Sequence, residues 1–144
     1  MQSVADDLLL ELRNVDSLKQ IGDAAAAAPR APGKWSRKQV LGHLVDSAAN
    51  NHQRFVRLQL GPRIDLPGYD QDAWVRVQRY QDRPWLEIIQ LWQSYNAQLA
   101  ALIRTVDTNS LQNVWHTPDS KEVTLEFLMV DYLRHLRHHL AQIL

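Results

Sequence analysis

Three histidines, His135, His138 and His139, fall within the C-terminal stretch DYLRHLRHHLAQIL, and a fourth, His43, sits between Val40 and Leu44 in a distant apolar segment. Imidazole titrates near neutrality, and its neutral form is a ligand for divalent metals. Helical residues four apart lie one turn along the axis, so His135 and His139 can aim at one point, while His138 is rotated from it by roughly 100° and becomes a flank. That H-x-x-x-H spacing also arises by chance, and then reads as packing or surface. His43 sharpens the choice, because an unpartnered ring on an apolar seam is costly to bury. One reading is a core histidine bonded to a neighbour such as Asp46 or Asn50. The other joins His43 to His135 and His139 as three nitrogen ligands, the set from which zinc sites with an open water position are made. Both stay open on spacing alone.

The remaining polar residues carry weaker signals. His52 lies roughly half a turn around the helix from His43 and is expected to face solvent. His116 precedes the last helix, at the mouth of the site or on the surface. Arg54, Arg57 and Arg63 stand where they can meet an anion or simply solvent. The five tryptophans mostly flank helix starts and read as packing at the bundle ends or as stacking platforms for a ligand. Cysteine is absent, so any metal must sit on nitrogen and oxygen and any thiol must come from outside.

Sixteen basic and sixteen acidic residues leave no net charge and no electrostatic footprint for a nucleic-acid or anionic-membrane partner. The N-terminal MQSVADDLLLELRN has neither the basic start nor the apolar run of a signal peptide, and nothing is long enough to span a bilayer. A cytoplasmic chain is expected. At 144 residues it reads as a single domain over 1–144.

Four amphipathic stretches must position the histidines. Ser3 with Asp6 and the recurrence of Val4, Leu8, Leu12, Val15 and Leu18 predict a helix over 4–20. The segment AAAAAPRAPGKWS forms an ordered linker, in which the alanines can prolong a helical turn before Pro29 and Pro32 end it. Ser36 and Gln39 form a capping box for a second helix that ends at Gly61-Pro62 and carries Val40, His43, Leu44, Ser47, Ala48, Asn51 and Phe55 along one seam. Residues 61–84 make a connection long enough to be a lid or to hold a short helix. Pro84 suits the first turn of a third helix. Thr124 opens a fourth, with Leu125, Leu128, Tyr132, His135, His139 and Ile143 on one stripe. No alternating strand pattern is seen, and the class is all-α, a four-helix bundle.

The ordered set APGKWSRKQVLGHLVDS, NNHQRF, LPGYDQDAW, VWHTPDSKEVTL and HLRHHLAQI resembles the DinB superfamily, in particular its YfiT-like branch, from about residue 30 to the C-terminus. The resemblance implies an up-down-down-up bundle with a long crossover between helices two and three, and frequently a homodimer. It also implies a divalent metal, zinc or nickel, on His43, His135 and His139. Relatives in the superfamily include bacillithiol S-transferases and mycothiol-dependent maleylpyruvate isomerases, and others are described only as metal-dependent hydrolases. The expected function is a thiol S-transferase that activates an external bacillithiol-like thiol for attack on a small electrophile. Its alternatives are a hydrolase using metal-activated water and a noncatalytic metal-binding stress protein. Asn50 is then expected to contact cofactor or substrate, Asp46 to orient a ligand ring, Tyr69 and Asp70 to border the site mouth, and Arg54 to bind a cofactor. Two features depart from the branch: a longer N-terminal arm is missing, and Arg134 stands where an aromatic residue is frequent.

Overall fold

The computed structural model describes residues 1–144. Its first rod is α1 (Gln2–Glu11) and α2 (Val15–Gln20), joined by a 3-10 turn at Leu12–Asn14. The expected single helix over 4–20 is interrupted where the Asn14 side-chain amide donates to the Glu11 carbonyl at 3.0 Å, competing with the helical ladder. Ser3 does not cap: the helix already begins at Gln2, and Met1 holds the cap position without a side-chain bond. The alanine-rich linker contains α3 (Asp23–Ala27).

The long helix α4 (Arg37–Leu60) opens on the capping box, with Gln39 N–H donating to Ser36 Oγ at 3.2 Å and Ser36 N–H to Gln39 Oε1 at 2.9 Å. Strand β1 (Arg63–Asp65) and helix α5 (Gln71–Gln78) lie in the connection that follows. Helix α6 (Trp85–Arg104) takes Pro84 as its cap and not as a first-turn residue. Its free Trp85 N–H donates instead to Asp23 Oδ1 at 2.7 Å, and the same carboxylate pairs with the buried Lys38 ammonium at 2.9 Å. Strands β2 (Val114–His116) and β3 (Glu122–Thr124) lead to α7 (Leu125–Leu140), where Thr124 Oγ1 accepts from Phe127 N–H.

Side-chain contacts fix the directions. Trp85 Nε1 donates to the Leu18 carbonyl and Arg104 pairs with Asp6, so α1–α2 and α6 run antiparallel. Lys38 reaches the Arg83 carbonyl near their starts and Gln59 accepts from Asp107 N–H near their ends, so α4 and α6 run parallel. His43 meets His135 and Phe55 meets Tyr132, so α4 and α7 run antiparallel. The order is up-down-down-up, and it forces residues 61–84 to cross the length of the bundle. At one end β2 pairs in parallel with β1 and antiparallel with β3, placing Trp115 between Ile64 and Val123. This small sheet was not expected, because strands of three residues show no readable alternation. The buried apolar residues form one cluster shared by the helices, and no helix is long and apolar enough to cross a membrane.

The crossover is pinned to α4 at one tight point. A Cβ on Gly42 would lie 2.2 Å from the Tyr80 ring, so only glycine admits this approach, and the Tyr80 hydroxyl then donates to Asp46 Oδ1 at 2.7 Å. Gly42→Ala is expected to destabilise the protein by about 2–3 kcal/mol through overpacking. In a Tyr80→Ala background most of that cost should vanish. Urea unfolding of the double-mutant cycle measures this, and strictly additive losses would contradict the contact.

Candidate metal centre

His43 projects from the second turn of α4, and His135 and His139 project from the last turns of α7. Because the two helices are antiparallel, an early position on one meets late positions on the other. His43 Nε2 and His135 Nε2 lie 3.2 Å apart. The ring centroids are separated by 5.1 Å for His43 and His135, 4.8 Å for His43 and His139, and 4.6 Å for His135 and His139. One nitrogen from each ring falls within 4.8 Å of the others. Two imidazole nitrogens, each about 2.05 Å from a tetrahedral ion, stand about 3.3 Å apart, so the His43–His135 approach fits shared coordination.

The Nδ1 atoms of all three rings are buried without a hydrogen-bond partner. A neutral core histidine normally finds such a partner, and leaving a buried polar atom unpaired costs about 1–3 kcal/mol. The neighbours that a bonded core histidine would use bond to none of the three rings, although Asp46 Oδ2 is itself buried without a partner. Asp46 Oδ1 accepts from Tyr80 and from Gln78, and the Asn50 amide donates to the Asp46 carbonyl of its own helix at 2.9 Å. The Nε2 atoms of His43 and His135 converge, and with one nitrogen of His139 they make a compact set of neutral donors of the kind a divalent ion takes.

Burial holds the rings in that neutral form. His43 is pushed down to about 3, first by desolvation and then by the nearby His135 and His139. His135 is pushed down to about 4 by desolvation and then by His139. His139 is also lowered, chiefly by desolvation and next by His138. Trp35 covers one side of His43 with ring centroids 5.3 Å apart.

On the other side opens a cavity of about 350 Å³ between α4 and α7, roofed by the crossover and the small sheet. Ser47, Asn51 and Arg54 continue the His43 face of α4 along its wall, facing Asp131, Tyr132 and His135 from α7, with Tyr69 and Trp115 over them. Tyr69 thus borders the site as its position in the connection suggested, and Arg54 lines it. Two other expectations need correcting. Asn50 does not line the cavity, because it lies one residue, about 100° of helix, from Asn51, which does. Asp46 makes no bond to a ligand ring; it faces Tyr80 and Gln78 of the crossover. Asp70 lies between the cavity-lining Tyr69 and Gln71, and its side chain is the N-cap of α5, Oδ1 accepting from Asp72 and Ala73 N–H at 3.0 Å each.

The other histidines stay outside the cluster. His138 is exposed beside Gln142, His52 lies 3.3 Å from the Tyr95 hydroxyl, and His116 is held on the sheet between Arg63 and Glu122. Trp115 and Asp131 were not anticipated as wall residues. Trp115 is reached only through strand pairing, and Asp131 is visible as the residue one turn before His135 on α7.

An up-down-down-up bundle that closes one buried and two half-buried imidazoles across antiparallel helices, beside an open cavity, defines the class: a helical bundle built to gather nitrogen ligands. The chain belongs to the DinB superfamily, whose family model matches residues 9–143, and its relatives place it in the YfiT-like branch. It is 30% identical over 122 residues to the Bacillus subtilis protein named "Putative metal-dependent hydrolase YfiT", covering 84% of this chain and 68% of that one. A Bacillus cereus protein also named "Putative metal-dependent hydrolase" is 25% identical over 138 residues, covering 96% of this chain and 78% of its own. The solved structure of YfiT from Bacillus subtilis, described as a probable metal-dependent hydrolase with an unusual four-helix bundle topology, superposes with a TM-score of 0.81. It is 25% identical, over 98% of this chain and 82% of that one.

The depressed histidines set a pH dependence for the metal-free protein. Unfolded, His43 and His135 titrate near 6.5; folded, they titrate near 3 and 4. Below 6.5 the unfolded chain therefore binds more protons, so stability is full above that pH and falls on acidification toward the folded values. The urea midpoint of metal-free protein should drop between pH 6.5 and 5, with a shallower drop in His43→Ala and an unchanged one in His138→Ala. A flat wild-type profile over that range would count against neutral burial of the trio.

Proposed function

We propose that the chain is a metal-dependent enzyme in which His43, His135 and His139 hold one divalent ion, zinc or nickel, and that it transfers a low-molecular-weight, bacillithiol-like thiol to an electrophilic small molecule. The donor count carries this reading: three imidazoles and no carboxylate form the cluster, and its free side faces a cavity of about 350 Å³. Structural zinc sites are closed by four protein ligands, whereas catalytic ones leave a position for water or substrate. A divalent ion held by neutral ligands supplies Lewis acidity, which lowers the pKa of a thiol or water by several units.

Thiol transfer is favoured over hydrolysis by what else faces the cavity. Hydrolysis by activated water commonly uses a side-chain base to move its proton. Here Asp46 is turned away to Tyr80, and Asp131 is paired with Arg134 at 2.6 Å. A thiol of pKa about 8.5 needs only a modest shift to ionise at neutrality and asks for no such base. The protein has no cysteine, so the sulfur is imported. In the transfer a new carbon–sulfur bond forms at the electrophile, the leaving group departs with its bonding pair, and the thiol proton passes to solvent. Tyr69 and the crossover limit water around the reacting atoms, and the three ligand rings themselves bring no negative charge to the ion. The hydrolase reading is supported by the names of the two relatives above.

Metal-loaded protein mixed with monochlorobimane and a panel of thiols that includes bacillithiol should form the fluorescent conjugate and release chloride far faster than protein-free mixtures. Each of His43→Ala, His135→Ala and His139→Ala should lower that rate at least a hundredfold. Thiol-independent turnover of esters or amides, with no thiol accelerating conjugation, would favour the hydrolase instead.

A further inference from the structure

Arg54 is the buried arginine of this chain, 8% exposed, and it forms no ion pair. Six more exposed arginines, Arg63, Arg79, Arg83, Arg104, Arg134 and Arg137, each find a carboxylate. Arg54 has one amide contact, Nη1 to Asn51 Oδ1 at 3.3 Å, and its guanidinium lies 3.8 Å over the Trp115 ring. Neither neutralises a charge, and buried charges are ordinarily paired. The same head group lines the cavity that contains His43 and His135. The other formal charge on that wall, Asp131, is already engaged by Arg134.

We infer that Arg54 is an anion seat at the far end of the metal-centre cavity, and that the small molecule bound there carries a carboxylate. A guanidinium fork matches a carboxylate in two parallel hydrogen bonds, and stacking on an aromatic face holds the fork in one plane. Trp115 is itself held, its indole N–H donating to the Leu66 carbonyl at 2.9 Å and its backbone paired in β2. The seat is thus rigid on the side away from the ligand. Desolvation lowers the Arg54 pKa, a cost that an incoming anion would relieve. Arg54 follows His43 by eleven positions on α4, about 16 Å between Cα atoms, and helical side chains lean back toward the N-terminus, so the head group is drawn toward the histidines. The cavity favours an elongated ligand, sulfur or electrophilic carbon at one end and carboxylate at the other. The carboxylate belongs either to the thiol or to its electrophile. This rests on the proposed function only for what occupies the histidine end.

The test uses two probe series that differ by one charge: ω-mercaptocarboxylic acids of increasing chain length and their primary amides, titrated by calorimetry into zinc-loaded and metal-free protein. A parallel pair of thiol-free halogenated acids and amides shows whether the electrophile can supply the anion. At the best length the acid should bind wild type about tenfold more tightly than its amide, the usual scale for one charge-assisted pair. The preference should fall to near unity in Arg54→Met and be intermediate in Arg54→Lys, which keeps the charge without the fork. Circular dichroism checks that each variant folds. Equal binding of acid and amide to wild type overturns the inference without any variant. A preference that survives Arg54→Met, or no measurable binding of any acid, also overturns it. An Arg54-dependent preference in metal-free protein supports the seat even if zinc adds nothing to thiol affinity, the result that would instead count against thiol activation.

Discussion

The antiparallel contact between α4 and α7 is the constraint on which the rest depends. Only with the helices opposed can His43, early on α4, meet His135 and His139, late on α7. With α6 parallel to α4, the chain must return along the whole bundle before α6 begins, and that return supplies the roof of the cavity. His43 is buried and His135 and His139 are half-buried, with one nitrogen of each ring within 4.8 Å of the others. Such an arrangement is unfavourable as plain packing, and chemically coherent as a ligand set.

The crossover is fastened to α4 around Gly42 and Asp46 and is stiffened from within by the Asp70 cap. Tyr80 fits against the bare backbone of Gly42 and bonds to Asp46, Gln78 adds a second bond to the same carboxylate, and Asp70 caps α5. Asp46 is buried, and desolvation raises its pKa. It therefore serves as a polar anchor for the roof, not as a partner of the ligand rings. The sheet provides the other fixed wall, carrying Trp115 beneath the Arg54 guanidinium.

Much of this was legible in the sequence where the signal is local. The Ser36–Gln39 box and the Thr124 cap are short-range hydrogen-bond patterns, and both open their helices as expected. The histidine trio could be nominated because i,i+4 spacing and a polar ring on an apolar seam are also local patterns. What escaped was non-local or turned on rotation. Asn50 and Asn51 differ by one helical step, and only the placement of α7 decides which meets the cavity. Asp46 faces α5 because Gly42 lets the crossover approach on that side. The sheet joins residues from distant parts of the chain in three-residue pieces, and the Arg54–Trp115 stack depends on that pairing. Asp70 carried a readable capping signal, an acid just before a helical run, beside its place in the long connection.

The central claim is that His43, His135 and His139 bind one ion jointly, and metal content measures it most directly. Purified protein equilibrated with limiting zinc or nickel, freed of excess ion and assayed by elemental analysis, should hold close to one equivalent per chain. His138→Ala and His52→Ala should retain it. His43→Ala, His135→Ala and His139→Ala should each lose most of it while keeping their helical circular dichroism. Near-stoichiometric metal retained by His43→Ala would contradict the account, because it would place the ion on the α7 histidines without α4.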